Sequence, residues 1–162
     1  MAATLVFRLT GGAANSDPDA SLGGAMSSTA LSATPMNNLF DNVSPAEALA
    51  GDTNYRAIDV FNSGDATAES VELYMSAETS SEDSQLDFGD GGVHDGSDQG
   101  DTIADESTAP DGISFAHYTS ASKLSVANIP AGEACRIWVR RVVGAEAENT
   151  ANDLGTIAVD YA

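Results

Sequence analysis

Apolar and polar side chains alternate along much of the chain with a period of two residues rather than 3.6. A period of two is that of a β-strand with one buried face and one polar face. It predicts strands at residues 3–9, 55–62, 69–76, 113–118, 123–129, 134–143 and 155–161. The segment 134–143, ACRIWVRRVV, carries the strongest pattern.

Turn-forming residues separate these segments. Residues 62–65 (NSGD) lie between two predicted strands, and residues 129–132 (IPAG) precede the strongest one. Such short connections join antiparallel strands. About seven short strands of this kind favour an all-β fold, an antiparallel, immunoglobulin-like β-sandwich.

One short helix is predicted at residues 45–50. Ser44 is in place to act as the N-cap, and Pro45 occupies the first helical position. Glu47 completes a capping box, and Gly51 ends the helix.

Two regions do not follow the strand pattern. Residues 1–43 are predicted to form an N-terminal strand and an extended arm, because residues 10–43 are rich in small and polar side chains. An arm of this kind becomes ordered by lying on another surface, such as a neighbouring subunit. Residues 44–162 form the β-sandwich domain, and residues 78–112 are an acidic loop inserted into it.

Charge changes the picture most. Six lysines and arginines stand against 25 aspartates and glutamates, which gives a net charge of −19. Self-repulsion of this size is screened when the Debye length falls to about 3 Å near 1 M salt. An acidic, lysine-poor composition therefore favours a halophilic source, and it argues against binding to nucleic acid.

The sequence contains no evident membrane-spanning or signal-peptide segment, and it has a single cysteine. No apolar run approaches the ~20 residues of a membrane helix, and the N-terminus lacks the pattern of a signal peptide. The single cysteine, Cys135, allows neither an intrachain disulfide nor a cysteine-based zinc site. We expect no membrane partner.

The acidic segment also contains a candidate calcium loop. Residues 95–106 match the twelve-residue spacing of an EF-hand, with Gly100 at the turn position. The candidate oxygen ligands are Asp95, Ser97, Gln99, Asp101 and Glu106. The alternative is a solvated acidic loop, because glutamine at position 5 is unusual and no helical pattern flanks the frame.

Catalytic motifs are not evident. No serine lies in a Gly-x-Ser-x-Gly elbow, and no glycine-rich phosphate loop follows a predicted strand. Cys135 has no recognisable histidine partner, and we expect it to be a small core residue. The sequence therefore predicts a protein that is not an enzyme and that needs no cofactor beyond the candidate calcium ion.

The basic strand offers a candidate interface. Arg136, Arg140 and Arg141 are three of the six cations, and Arg136, Trp138 and Arg140 share one strand face. Arginine and tryptophan are enriched at the centres of interfaces. One interpretation is a contact surface for an acidic neighbour; the other is an internal ladder that pairs with the chain's own carboxylates.

Several stretches resemble a family of small virion proteins of tailed viruses. They are RLTGGAANSDPDASLGGAMSST (8–29), NNLFDNVSPAEALAGDTNYRAIDVFN (37–62), ADESTAP (104–110) and IPAGEACRIWVRRVV…AND (129–153). The Asp-rich stretch 87–101 departs from the family pattern. Separately, NSGDATAESVELYMS (62–76) resembles the strand–turn–strand of immunoglobulin-like modules on viral and cell surfaces.

The resemblance implies a structural protein located in the virion. Small size, the arm and the acidic exterior favour a capsid decoration or cement protein at the particle surface, with a halophilic host. Its implied partners are the major capsid protein or tail proteins, together with further copies of this chain. The alternatives are a tail or baseplate component and a calcium-dependent receptor-binding or adhesion module.

Overall fold

The computed structural model describes residues 2–97 and 101–162, and regular structure in these ranges is mainly β. The strands are β1 (Leu5–Thr10), β2 (Met26–Ala30), β3 (Asp52–Asn62), β4 (Glu72–Ala77), β5 (Ser84–His94), β6 (Leu124–Ser125), β7 (Ala134–Val143) and β8 (Thr156–Asp160). A 3-10 turn at Pro18–Ala20 and the helix α1 (Pro45–Ala50) lie between them. The prediction of an all-β fold is confirmed.

The strands form two antiparallel sheets. The larger sheet has the order β2-β1-β3-β7-β5, and the smaller has the order β6-β4-β8. Strands β3 and β7 pair along their length, from Asp52 opposite Val143 to Phe61 opposite Ala134. Strand β1 pairs only with residues 58–62 of β3. The first half of β3 therefore has an edge that other segments cover. An immunoglobulin-like connectivity stays a prediction.

Both sheets contribute to one apolar core. Its buried side chains include Ile58, Val60, Val71, Leu73, Met75, Phe88, Ile129, Ile137 and Val139. The alternation in residues 55–62, 69–76 and 134–143 predicted the inward positions in these segments, because consecutive strand residues point to opposite faces. The shared core gives the fold its sandwich character.

The predicted helix is confirmed with its caps. The Ser44 hydroxyl accepts a hydrogen bond from the Glu47 N–H, and the Glu47 carboxylate accepts one from the Ser44 N–H. The hydrogen bond from the Ser44 backbone lowers the pKa of Glu47. Gly51 ends α1 with a positive φ of 76°. None of the helices in the described ranges has the length and apolar character needed to cross a membrane.

The acidic insertion is not a loop throughout. Strand β5 occupies Ser84–His94 and pairs with β7, so residues 78–112 contain an eleven-residue strand that the sequence did not predict. The pattern was hidden by glycines that packing requires. A side chain at Gly89 would overlap Ile113, and one at Gly91 would overlap the stem of Arg136.

Two predicted strands are shorter than expected. Residues 113–118 contribute only an isolated bridge, from Ala116 to Phe88 in β5. Within 123–129, only Leu124–Ser125 forms a strand. Both segments lie at sheet edges, where Ala116 bridges to β5 and Leu124–Ser125 pairs with β4.

The N-terminal segment lies on the chain's own sheet. Strand β2 pairs with β1, and the hydroxyl of Ser21 donates to the carbonyl of Ala57 at 2.6 Å. The Ala57 N–H donates to the carbonyl of Ser21 at 2.8 Å, and the Thr10 N–H donates to the Ser21 hydroxyl. Residues 10–30 therefore cover the open edge of β3 instead of extending away from the domain.

Candidate functional site

Strand β7 lies between β3 and β5 and carries all four predicted interface residues. Arg136, Trp138 and Arg140 share one face, as predicted, and that face points away from the smaller sheet. Arg141 lies on the opposite face with the apolar residues. We call the face with Arg136 the outer face and the face toward the smaller sheet the inner face.

Arg136 forms a buried ion pair on the outer face. Its Nε donates to Oδ1 of Asp59 at 2.7 Å, and its Nη2 donates to Asp59 Oδ2 at 3.2 Å and to the Gly24 carbonyl at 2.6 Å. Asp59 is fully buried. The Gly96 N–H donates to Nδ1 of His94 at 3.0 Å, so the ring proton lies on Nε2 and is donated to Asp59.

Arg140 forms a second ion pair four residues further along β7. Its Nε donates to Oδ2 of Asp87 at 3.0 Å, and Gln85 donates to the other oxygen at 2.6 Å. His117 donates from Nδ1 to the Leu86 carbonyl at 2.9 Å. The guanidinium of Arg140 also lies 5.0 Å from the Phe115 ring centre. Asp87 is buried, whereas the Arg140 side chain is 30% exposed.

Arg141 binds polar groups at the end of the inner face. Its Nη2 donates to Oδ1 of Asn54 at 2.7 Å, and its Nη1 donates to the carbonyl of Asp41. Its guanidinium lies 4.9 Å from the Phe40 ring centre. This arginine therefore fastens the segment before α1 to β3 and β7.

Arg56 performs a similar role at the open edge of β3. Its Nη2 lies 3.2 Å from a carboxylate oxygen of Asp19 and also pairs with Glu106. The Tyr55 N–H donates to the carbonyl of Glu106 at 2.7 Å. Glu106 is thus held by both its backbone and its side chain.

Trp138 lies under the connections that cover the outer face. It is 2% exposed and packs with Ala57 and Ile103. Partly buried residues complete this cluster: Leu22, Tyr55, Ile113 and Phe115. The outer face is therefore closed by the chain itself, through residues near 22–24 and 101–115.

All four residues contact groups of their own chain, and an interface role for the partly exposed Arg140 stays a prediction. Arg136, Trp138 and Arg141 are buried, so a stripe open to a neighbour is not what the fold builds from them. The arrangement matches the internal ladder that was the alternative interpretation. Sequence reasoning missed Asp59 and Asp87, although a carboxylate within the apolar pattern of β3 is a signal for Asp59.

The remaining cations are engaged in the same way. The guanidinium of Arg8 lies 4.0 Å from the Phe61 ring centre. Lys123 lies 2.6 Å from a carboxylate oxygen of Asp160 and 3.4 Å from one of Glu72. All six cations of the sequence therefore contact the chain's own carboxylates or aromatic rings, and the other carboxylates give the exterior its negative charge.

The candidate calcium frame begins directly after β5. Asp95 accepts hydrogen bonds from the Ser97 N–H at 2.9 Å and from its hydroxyl at 2.6 Å. The carbonyl of Asp101 accepts a hydrogen bond from the Gly24 N–H. Gln99 and the turn residue Gly100 lie outside the described residues.

Glu106, the candidate ligand at the last position of the frame, is paired with Arg56. Within residues 2–97 and 101–162, no group of three or more acidic, histidine or cysteine side chains is arranged to hold a metal ion. The calcium loop therefore stays a prediction, and binding there would require Glu106 to leave Arg56.

Two pockets open on the described surface. One of about 190 Å³ lies on the outer face and is lined by Gly91, Val93, His94, Asp101, Ile113, Arg136 and Trp138. The other is wide and acidic, and it is lined by Ser80, Ser81, Glu82, Asp83, Glu146, Glu148 and Thr150. The first pocket combines a buried cation with apolar walls.

Cys135 is a buried free thiol on the inner face. Burial raises its pKa strongly, and the neighbouring carboxylate of Asp90 raises it further. Because the thiolate is the nucleophilic form, this environment favours an inert core residue.

No protein-family model, curated protein or solved structure matches the chain. The resemblance of residues 8–29, 37–62, 104–110 and 129–153 to small virion proteins therefore stays a prediction.

Proposed function

We propose that this protein is a non-enzymatic structural component of a virus particle, a capsid decoration protein of a tailed virus with a halophilic host. The observation that carries the proposal is the use of the cations. All six lysines and arginines contact groups of their own chain, which leaves a compact β-fold with a strongly anionic exterior.

An anionic exterior suits a protein that faces concentrated salt. Carboxylates remain hydrated there, and their mutual repulsion is screened within a few ångströms. The proposed location in the virion rests on the resemblance of four stretches to small virion proteins. The proposed structural role rests on the role of that family. The partners are the major capsid protein and further copies of this chain at the particle surface.

Attachment to the capsid uses apolar contacts in this proposal. Electrostatic attraction between exposed groups is weak in molar salt, whereas burial of apolar surface is not screened. Met36, Val43 and Leu49 lie within fourteen residues and are 52%, 38% and 70% exposed. We assign the capsid contact to this segment, residues 36–49.

The test measures occupancy on capsids stripped of this protein. Leu49→Gln keeps a good helix former on the surface of α1 and removes the apolar contact. The matched control is Leu154→Gln, at another exposed leucine that is 39% exposed. We expect Leu49→Gln to lower occupancy at least tenfold while thermal unfolding stays unchanged.

Two results would overturn the proposal. Equal occupancy for both leucine variants would remove residues 36–49 as the contact. Quantitative mass spectrometry of intact particles that finds the protein only in tails, or not at all, would remove the decoration role itself.

The halophilic part has a separate test. The melting temperature is measured as KCl is lowered from several molar to about 0.1 M, where the Debye length rises to about 10 Å. We expect a continuous decrease because repulsion among the exterior carboxylates returns. A melting temperature that stays constant would contradict a halophilic source.

A further inference from the structure

The pocket on the outer face holds a cation with unused hydrogen-bonding capacity. Arginine has five N–H donors, and those on Nε and Nη2 of Arg136 are used by Asp59 and Gly24. Its Nη1 is buried and has no hydrogen-bond partner among residues 2–97 and 101–162. The whole residue is 4% exposed. A buried donor without an acceptor is unfavourable, so this site favours an occupant that accepts hydrogen bonds.

The volume admits more than a single water molecule. About 190 Å³ is available, whereas one water needs roughly 10–15 Å³. Trp138, Ile113 and Val93 provide apolar walls. A small organic group therefore fits, with an oxygen at Arg136 and an apolar stem against the indole.

The surrounding charges favour a neutral occupant. Asp59 already balances Arg136, and both ring nitrogens of His94 are engaged. Asp101 adds a further carboxylate to the lining. An anion would therefore bring an additional negative charge next to the carboxylates of Asp59 and Asp101, which is unfavourable. A neutral carbonyl oxygen accepts from Arg136 without that cost.

We propose that this pocket binds a primary carboxamide. Its carbonyl oxygen accepts from Nη1 of Arg136, its NH₂ group donates to Asp101, and its aliphatic stem lies against Trp138 and Ile113. The group is either a free small amide or the side chain of an asparagine or glutamine on a protein partner. This inference does not depend on the virion proposal.

The experiment uses Trp138 as its reporter. It is the chain's only tryptophan, so its indole N–H gives a single resonance in a ¹⁵N-labelled sample. Propionamide and propionate are titrated separately at constant high KCl, because the two molecules share one shape and differ in charge. We expect a saturable shift with propionamide and at least tenfold weaker binding of propionate.

Two outcomes of this titration overturn the proposal. Propionate binding as tightly as propionamide would make the pocket an anion site. A resonance that moves with neither molecule would show a pocket that holds water only.

Variants test the two assigned contacts. Ile113→Trp fills the pocket from its rim and should abolish the propionamide shift. Asp101→Asn should reduce the preference for the amide over the carboxylate severalfold. Asp111→Asn, on the same connection but outside the lining, is the matched control and should behave like the parent protein. Equal selectivity in the Asp101 and Asp111 variants would contradict the role of Asp101.

The source of the amide is distinguished with a blocked amino acid. N-acetylglutamine methylamide is compared with N-acetylglutamate methylamide in the same titration. Binding of the glutamine compound alone supports a side chain from a protein partner. Binding of propionamide without either compound supports a free small amide.

Discussion

The two faces of the five-stranded sheet solve the same burial problem with different chemistry. The inner face packs Ile58, Ile137 and Val139 against the smaller sheet. On the outer face, the ion pairs are Asp59–Arg136 and Asp87–Arg140, and Asp59, Arg136 and Arg140 each follow or precede one of these apolar residues in sequence. Both faces are buried, although one is covered by a regular sheet and the other by irregular connections.

The difference shows what each kind of contact specifies. Apolar burial is strong but non-directional, so it holds two sheets together without fixing a loop. A guanidinium has fixed donor directions. Arg136 reaches the Gly24 carbonyl and Arg140 lies against Phe115, so each places one covering connection. We infer that the outer face determines where the long connections lie.

The largest expected effect is the removal of one partner from the outer face. Arg136→Met should destabilise the protein by about 3–5 kcal/mol, because it leaves the fully buried Asp59 without its guanidinium. Denaturant unfolding at fixed KCl measures the change. Arg140→Met is the control on the same face and should cost less, because Arg140 is partly exposed. Equal losses would contradict the role of burial.

A comparable loss of stability is expected from a substitution on the inner face, but this loss should not be concentrated in any one connection. Ile137→Ala removes buried methyl groups and should cost about 2–5 kcal/mol. The connections near residues 22–24 and 101–115 should keep their protection from hydrogen exchange in the folded protein. In Arg136→Met they should lose protection first. If these connections lost protection selectively in Ile137→Ala, the inner face rather than the outer face would determine where they lie.

Cys135 reports on the integrity of the inner face without substitution. Burial and Asp90 raise the pKa of its thiol, so the native protein should react with a disulfide reagent only through unfolding. Labelling should accelerate in Ile137→Ala in proportion to the unfolded population. Rapid labelling of the native parent protein would contradict a closed core at this position.

The smallest effect is expected at the exposed ion pairs. Lys123 contacts Asp160 and Glu72 on the surface, and the hydrogen bond with Asp160 raises its pKa. A raised lysine pKa stabilises the fold below its unfolded value near 10.4, and the contribution is lost as pH rises through the folded pKa. Lys123→Met should therefore change stability only slightly at pH 7, and not at all in molar KCl. A large, salt-resistant loss would be inconsistent with surface pairing.

The alternation of apolar and polar residues was enough to predict the inner-face positions of β3 and β7. The pattern in 134–143 matches β7 to the residue, and Ser44 with Glu47 located α1, because these signals are local. Strand β5 escaped prediction because Gly89 and Gly91 lack side chains, which leaves room for Ile113 and Arg136.

The candidate site depended on contacts between distant parts of the chain. Arg136 was recognised as important from its clustering with other arginines, but its partner Asp59 lies 77 residues away. The sequence left open whether Arg136 contacts a neighbouring protein or its own chain. The two roles can be distinguished only once the connections that cover the outer face are known. Composition predicted the acidic exterior but not that every cation would contact its own chain.

The most direct test of the internal role is a double-mutant cycle at Arg136 and Asp59. The four proteins are the parent, Arg136→Met, Asp59→Asn and the double variant, each unfolded by denaturant at the same KCl concentration. We predict that the double variant loses about 1–3 kcal/mol less than the sum of the single losses, because each single variant strands one buried partner. Losses that add to within about 0.5 kcal/mol would contradict a structural ion pair between these residues.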